Sequence, residues 1–148
     1  SKAIAVLVGD PADAEKASSS MNKMAELFAR RFWPGPLTLV VPRRPDLPEA
    51  ISSVPTVGLR MPDHPLAIRL LRLTGPLAVP SANLSGAANS NTACEVYAQL
   101  AGLIPLILDG GNTPGGMPST VVDCTGRDPV ILRQGPISLD QLNKVLRG

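Results

Sequence analysis

Proline and glycine set the tightest limits on what this chain can become. There are 16 prolines and 13 glycines among 148 residues, spread along the whole length. Proline lacks a backbone N–H and glycine is conformationally permissive, so both interrupt regular elements. Distributed in this way they read as turns between many short elements, not as a low-complexity tail. The segments between them are 44% hydrophobic over the chain, with 18% charged residues. That balance suits one globular domain over 1–148 with a core of its own.

The punctuated segments alternate in type. Lys2–Val8 (KAIAVLV) reads as a strand stopped by Gly9-Asp10-Pro11. Residues 11–31 read as a helix capped by Asp10 and broken near Ser18-Ser19-Ser20, with Met24, Leu27, Phe28 and Arg31 on one face. Leu37–Val41 and Thr56–Met61 read as strands, 65–73 as a helix closed by Gly75, and Leu77–Val79 as a buried strand. A helix is expected from about Thr92 to Leu100, and strands at Leu106–Leu108, Thr120–Asp123 and Val130–Arg133. Ser138 and Gln141 form a capping-box pattern for a last helix over 139–146. Interleaved strands and helices predict an α/β (α+β) domain around one twisted sheet with flanking helices. Several linkers are too short for helical crossovers, so the sheet is expected to mix parallel and antiparallel pairs.

Composition removes several function classes. Four rings, Phe28, Phe32, Trp33 and Tyr97, are too few for a platform that stacks single-stranded nucleic acid. A net charge of +2 does not by itself argue for nucleic acid. Arginines 30, 31, 43, 44, 60, 69 and 72 still leave open a basic face for double-stranded RNA or tRNA without catalysis. Cys94 and Cys124 are far apart, and His64 is the one histidine, so no metal site is expected. Both thiols are expected buried and reduced, as in the cytoplasm. No run of about 18 apolar residues is present, and no membrane span is expected.

The chemistry-bearing residues gather at predicted strand ends. In PLAVPSANLSG (76–86) an apolar run stops at Pro80 and gives way to serines and an amide, with no acid, histidine or cysteine. Arg60 closes TVGLR, Ser119 and Thr120 open TVVD after a glycine-rich loop, and Arg133 closes VILR. Open α/β sheets bind ligands where strands end. Arginines, hydroxyls and backbone N–H groups suit an anion such as phosphate or carboxylate. They do not suit covalent catalysis, because a serine nucleophile needs a base. No catalytic residue is assigned. His64, between Asp63 and Pro65, reads as a turn or cap residue.

Five motifs stand in order along the chain: FWPGPLTLV (32–40), TVGLRMPDHP (56–65), PSANLSG (80–86), DGG…P-STVVD (109–123) and ILRQGPIS (131–138). In these the chain resembles the YrdC/Sua-type family of threonylcarbamoyl-AMP synthases across nearly its whole length. The resemblance implies a YrdC-like fold and a reaction of L-threonine, bicarbonate or CO2, and ATP. The products are threonylcarbamoyl-AMP and pyrophosphate, and transfer proteins then carry the threonylcarbamoyl group to position 37 of tRNA. Mg2+ is expected on the triphosphate.

The resemblance also implies residue roles. Thr56, Ser81, Asn83, Asn89 and Arg133 fall to ATP. Arg60 falls to the threonine carboxylate, with Val79 and Ser119 completing the amino-acid pocket. Position 89 holds Asn where the family commonly has serine. Relative to that family the chain is expected to lack an upstream segment with a KxR motif, and so to be N-terminally truncated and inactive alone. A related carbamoyl-transfer domain of a larger maturation enzyme is a further reading. On the main reading, Arg60, Arg133, Ser81 and Ser119 are expected to converge on one electropositive cradle.

Overall fold

In the computed structural model of the protein, residues 4–114 and 116–148 are described. Lys2 and Ala3, expected to begin the first strand, lie outside these residues, as does Gly115 of the glycine-rich loop. The chain packs as two compact units. One runs through Val79 and resumes at Pro118; the other is Pro80–Met117.

The first unit holds a six-stranded mixed sheet. Its strands are β1 (Ala5–Leu7), β2 (Leu37–Pro42), β3 (Thr56–Arg60), β4 (Leu77–Val79), β5 (Thr120–Asp123) and β6 (Val130–Arg133). Their order across the sheet is β4-β1-β3-β2-β5-β6. The β1–β3 and β2–β5 pairs are parallel, and β1–β4, β2–β3 and β5–β6 are antiparallel. The expected mixed sheet is therefore present, with β4 and β6 on its edges.

Alternation along the strands sorts the sheet into two faces. Val6, Leu37, Leu39, Val41, Val57, Leu59, Thr120 and Val122 are buried on one. Helix α1 (Lys23–Phe32) covers that face with Met24, Ala25, Phe28 and Ala29, and Leu142 of helix α4 (Leu139–Arg147) joins the same core. Each fully buried Leu or Phe here contributes roughly 1.5–3 kcal/mol. The opposite face carries Ala5, Leu7, Val40, Thr56, Gly58, Arg60, Val121 and Asp123, all only half-buried. This second face is the more open one, and it holds the unit's candidate site.

Three local readings need correction. Residues 11–31 are not one interrupted helix: Pro11–Lys16 form a 3-10 turn, and α1 starts only after Asn22. The physical reason is Ser18, whose buried hydroxyl bonds the carbonyls of Ser20 and Pro42 and ties the break to the end of β2. Asn22 then caps α1 by accepting from Ala25 N–H and donating to the Cys124 carbonyl. Leu77–Val79 is a strand but not a buried one, since Ala78 and Val79 are exposed on the sheet edge. Leu106–Leu108 forms no strand; both leucines are exposed, and among the described residues no strand pairs with them.

Other local signals were legible. His64 caps helix α2 (Pro65–Thr74) through Nδ1, which accepts from Ala67 N–H at 3.4 Å. Gly75 ends that helix at φ 79°, a conformation glycine adopts without a Cβ clash. Ser138 and Gln141 make the full capping box of α4. In the second unit, helix α3 (Ala93–Leu100) is capped by Thr92. Gln99 donates to Ala88 carbonyl and Ser90 Oγ, and Thr113 N–H reaches the Asn91 carbonyl, folding the loops of this unit on themselves. Cys124 is buried as expected; Cys94 is exposed on α3, because that helix buries no residue of its own.

Candidate functional site

The register of the sheet decides which predicted residues share a surface. Leu7 pairs with Arg60, and Leu39 with Leu59. One step further along the β2–β3 ladder sets Thr38 beside Arg60. Thr38 pairs with Val121, and Val121 with Arg133. Arg60, Thr38, Val121 and Arg133 thus form one transverse row across four strands. Cross-strand neighbours in register project to the same side, so both guanidinium stems rise from the open face. Thr56 lies on this face four residues before Arg60, and Val79 pairs with Ala5 on it.

Backbone turns hold each guanidinium by one edge. The Trp33-Pro34-Gly35-Pro36 turn presents the Gly35 carbonyl to Arg60 Nε at 3.0 Å. Gly35 N–H donates to the Met61 carbonyl, which locks the turn against the end of β3. A side chain at position 35 would place its Cβ 2.4 Å from the Phe32 carbonyl oxygen, so this turn needs glycine. Arg60 therefore offers Nη1 and Nη2 with no partner among the described residues. Arg133 is held differently. Its Nε and Nη2 donate to the Ser119 carbonyl at 3.1 and 2.9 Å, and Nη2 also reaches Ser119 Oγ at 3.1 Å.

The loop beneath Arg133 is fastened by Thr120. Its fully buried hydroxyl donates to the Ile137 carbonyl and accepts from the N–H groups of Gly135 and Ile137. Gly135 sits against the 118–120 backbone, where an added Cβ would fall 2.3 Å from Thr120 N. Sequence reasoning saw Ser119 and Thr120 as ligand-facing hydroxyls. The structure divides them: Ser119 joins the open face, and Thr120 points to the core side as a fastener.

No carboxylate among the described residues pairs with either guanidinium on this face. Neither Arg60 nor Arg133 has a carboxylate partner within ion-pair distance among the described residues; the ion pairs there are Lys16–Asp13 and Arg44–Asp46. Burial pushes the Arg60 pKa below its ordinary value, and repulsion from Arg133 adds to it. Two like charges near enough to repel, with no acid between them, leave a place for an anion. The other arginines are spread over other parts of the fold. Arg30 and Arg31 lie in the last turn of α1, on the covered side of the sheet. Arg43 bonds the Ser52 carbonyl, Arg44 pairs with Asp46, and Arg72 bonds the Gly9 carbonyl.

Of the eight predicted site residues, Thr56, Arg60, Val79, Ser119 and Arg133 belong to the sheet-bearing unit, where Arg60, Ser119 and Arg133 meet around Thr38. Ser81, Asn83 and Asn89 belong to the second unit. There Asn83 Nδ2 donates to the carbonyls of Leu84 and Ala87, while its buried Oδ1 has no hydrogen-bond partner among the described residues. Asn89 is exposed. Sequence reasoning missed Thr38, Gly35 and Gly135 as parts of the site. The signal for Thr38 was present as a single hydroxyl inside the apolar run LTLVV.

Comparisons with known proteins place the chain in a family. The family model Sua5_yciO_yrdC, described as "Telomere recombination", matches residues 1–135. A threonylcarbamoyl-AMP synthase of Pyrococcus abyssi is 42% identical over 89% of this chain and 39% of its own length. One from Bacillus subtilis is 42% identical over 95% of this chain and 42% of its own. The crystal structure of P. abyssi Sua5 complexed with L-threonine superposes with a TM-score of 0.90 at 39% identity, covering 97% of this chain and 43% of that one. The chain thus spans about two fifths of the length of these relatives.

Proposed function

Because the chain belongs to the Sua5_yciO_yrdC family, we propose that it serves the formation of threonylcarbamoyl-AMP from L-threonine, bicarbonate or CO2, and ATP. The observation that carries this reading is the anchored Arg60, whose Nε is spent on Gly35 and whose Nη pair has no partner among the described residues, near an Arg133 that likewise lacks a carboxylate partner there. A free guanidinium edge fits a carboxylate in bidentate fashion. The P. abyssi relative solved with L-threonine supports an amino acid as the carboxylate's owner.

The chemistry asks little covalent work of the protein. The amine of threonine adds to CO2 and loses a proton to give a carbamate. A carbamate oxygen then attacks the α-phosphorus of ATP, and pyrophosphate leaves. Alignment and charge neutralisation are the protein's share. On this reading Arg60, Ser119 and the Val79 backbone hold threonine. Arg133 and Thr56 meet ATP, with Ser81, Asn83 and Asn89 of the second unit as further ATP contacts. Mg2+ arrives on the triphosphate. The product serves tRNA modification at position 37 in the cytoplasm, through transfer proteins. Among the described residues no helix is long and apolar enough to cross a membrane.

The test is pyrophosphate release by the full-length protein. Release that requires threonine and bicarbonate together supports the proposal. Release indifferent to threonine, or none from a folded protein that binds neither substrate, overturns it. Tight, steeply salt-dependent binding of duplex RNA by the same inert protein would instead favour the RNA-binding module.

A further inference from the structure

We infer that Thr38 is a positioning residue of this site: it donates its hydrogen bond to Ser119 Oγ, and so turns the Ser119 proton toward the ligand. The inference rests on the reading of Arg60 and Ser119 as the amino-acid pocket.

Thr38 Oγ1 and Ser119 Oγ are 2.8 Å apart, and on distance alone either can be the donor. Counting protons with the ligand in place decides between them. A hydroxyl has one proton to give and can accept two. Ser119 Oγ already accepts from Arg133 Nη2. If Ser119 also gave its proton to Thr38, the Thr38 proton would have no acceptor among the described residues. Thr38 and Ser119 are both only 6% exposed, and a buried donor left unmet is costly, so in either arrangement one proton awaits an acceptor from the ligand. If Thr38 donates instead, Ser119 Oγ accepts twice, from Thr38 and Arg133. On the pocket reading the ligand accepts the Ser119 proton, which leaves Thr38 as the donor.

Gly58 stands beside the other branch of the Thr38 side chain. The Thr38 methyl group, Cγ2, lies 3.2 Å from where a Cβ on residue 58 would stand. Gly58 leaves room for that methyl on β3, while the hydroxyl reaches Ser119 just before β5. The outward Ser119 proton suits an acceptor-only group, such as a carboxylate or carbamate oxygen of the amino-acid substrate.

The test is L-threonine affinity of the full-length protein, by calorimetry, for wild type, Thr38→Val, Thr38→Ser and Ser119→Ala. Losing an aimed hydrogen bond to a charged group corresponds to roughly tenfold weaker binding. Thr38→Val is expected to bind about tenfold more weakly, and Thr38→Ser within about twofold of wild type. Adding Thr38→Val to Ser119→Ala is expected to change nothing further, because the two act through one proton. If Thr38→Val does not fold, Thr38→Ala against Thr38→Ser isolates the same hydroxyl. Wild-type affinity in Thr38→Val, with Ser119→Ala weakened, overturns the Thr38 role and leaves the pocket reading intact. Additive losses in the double variant overturn it as well. A wild type that binds no L-threonine overturns the pocket reading and this inference with it.

Discussion

Arg60 and Arg133 face each other's charge from β3 and β6, with two strands between them and no acid to separate them. Arg60 is held by the Gly35 carbonyl and Arg133 by Ser119, so each guanidinium is anchored through neutral atoms. Protein stability alone offers no reason to keep two such charges on one half-buried face. The arrangement makes sense when a third, negative party is bound.

Substituting Arg60→Lys keeps the charge and removes the fork. L-Threonine affinity is expected to fall roughly 10- to 100-fold, the equivalent of one charge-assisted bidentate contact. The thermal midpoint is expected to stay within a few degrees, since Arg60 contributes one bond to a backbone carbonyl. Undiminished threonine binding in a calorimeter would remove Arg60 from the pocket.

Polyvalent anions are expected to stabilise the free protein. At a hundredfold excess over its Kd, pyrophosphate contributes about 2.7 kcal/mol, or roughly 5–10 °C in Tm for a chain of this size. The shift is expected to shrink in Arg133→Ala and at high ionic strength. Equal shifts in wild type and Arg133→Ala would place the anion elsewhere.

Gly135→Ala is expected to destabilise the first unit by about 2 kcal/mol or more, because the new methyl meets the backbone at Thr120, Pro118 and Ser119. Gly86, at φ 82° with open space around it, gives a control in which strain and not overlap acts. Chemical denaturation compares the two. A Gly135→Ala midpoint at or above the wild-type value would show that the loop under Arg133 can move aside.

The two thiols are expected to behave oppositely. Burial, with Asp123 adding to it, pushes Cys124 up from 9.0 to about 12. An acid whose folded pKa is raised favours the folded state while it stays protonated. Above about pH 9 the unfolded chain loses this proton first, so stability falls between about pH 9 and pH 12, by on the order of a few kcal/mol. Cys124→Ala is expected to flatten that limb of the unfolding profile. Exposed Cys94 is expected to react with a thiol reagent at pH 8 in the native protein, and Cys124 only on unfolding. Two fast-reacting thiols in the folded chain would contradict the burial of Cys124.

Residues near in sequence announced much of the fold. Pro65 after His64, Gly75 after Thr74 and the Ser138–Gln141 pair bound their helices by contacts within a few residues, and such contacts can be read from spacing. Ser18 could not be read in this way, because its buried hydroxyl answers to Pro42, 24 residues away. Leu106–Leu108 failed for the opposite reason. An apolar run looks like a strand, but a strand needs a partner edge, and among the described residues none pairs with it.

The site divides along the same line. The order of the motifs determined the family, and with it the choice of arginines and hydroxyls over acids and nucleophiles. Residue types and their local spacing carry that choice. Tertiary structure decided where each hydroxyl goes: Thr120 fastens a loop, and Ser119 lies on the open face bonded to Thr38 and Arg133. Those roles depend on strand register, in which one residue of slip moves every side chain to the other face of the sheet. Register is settled by pairing between segments as much as 83 positions apart, as Thr38 and Val121 are, and no local pattern encodes it.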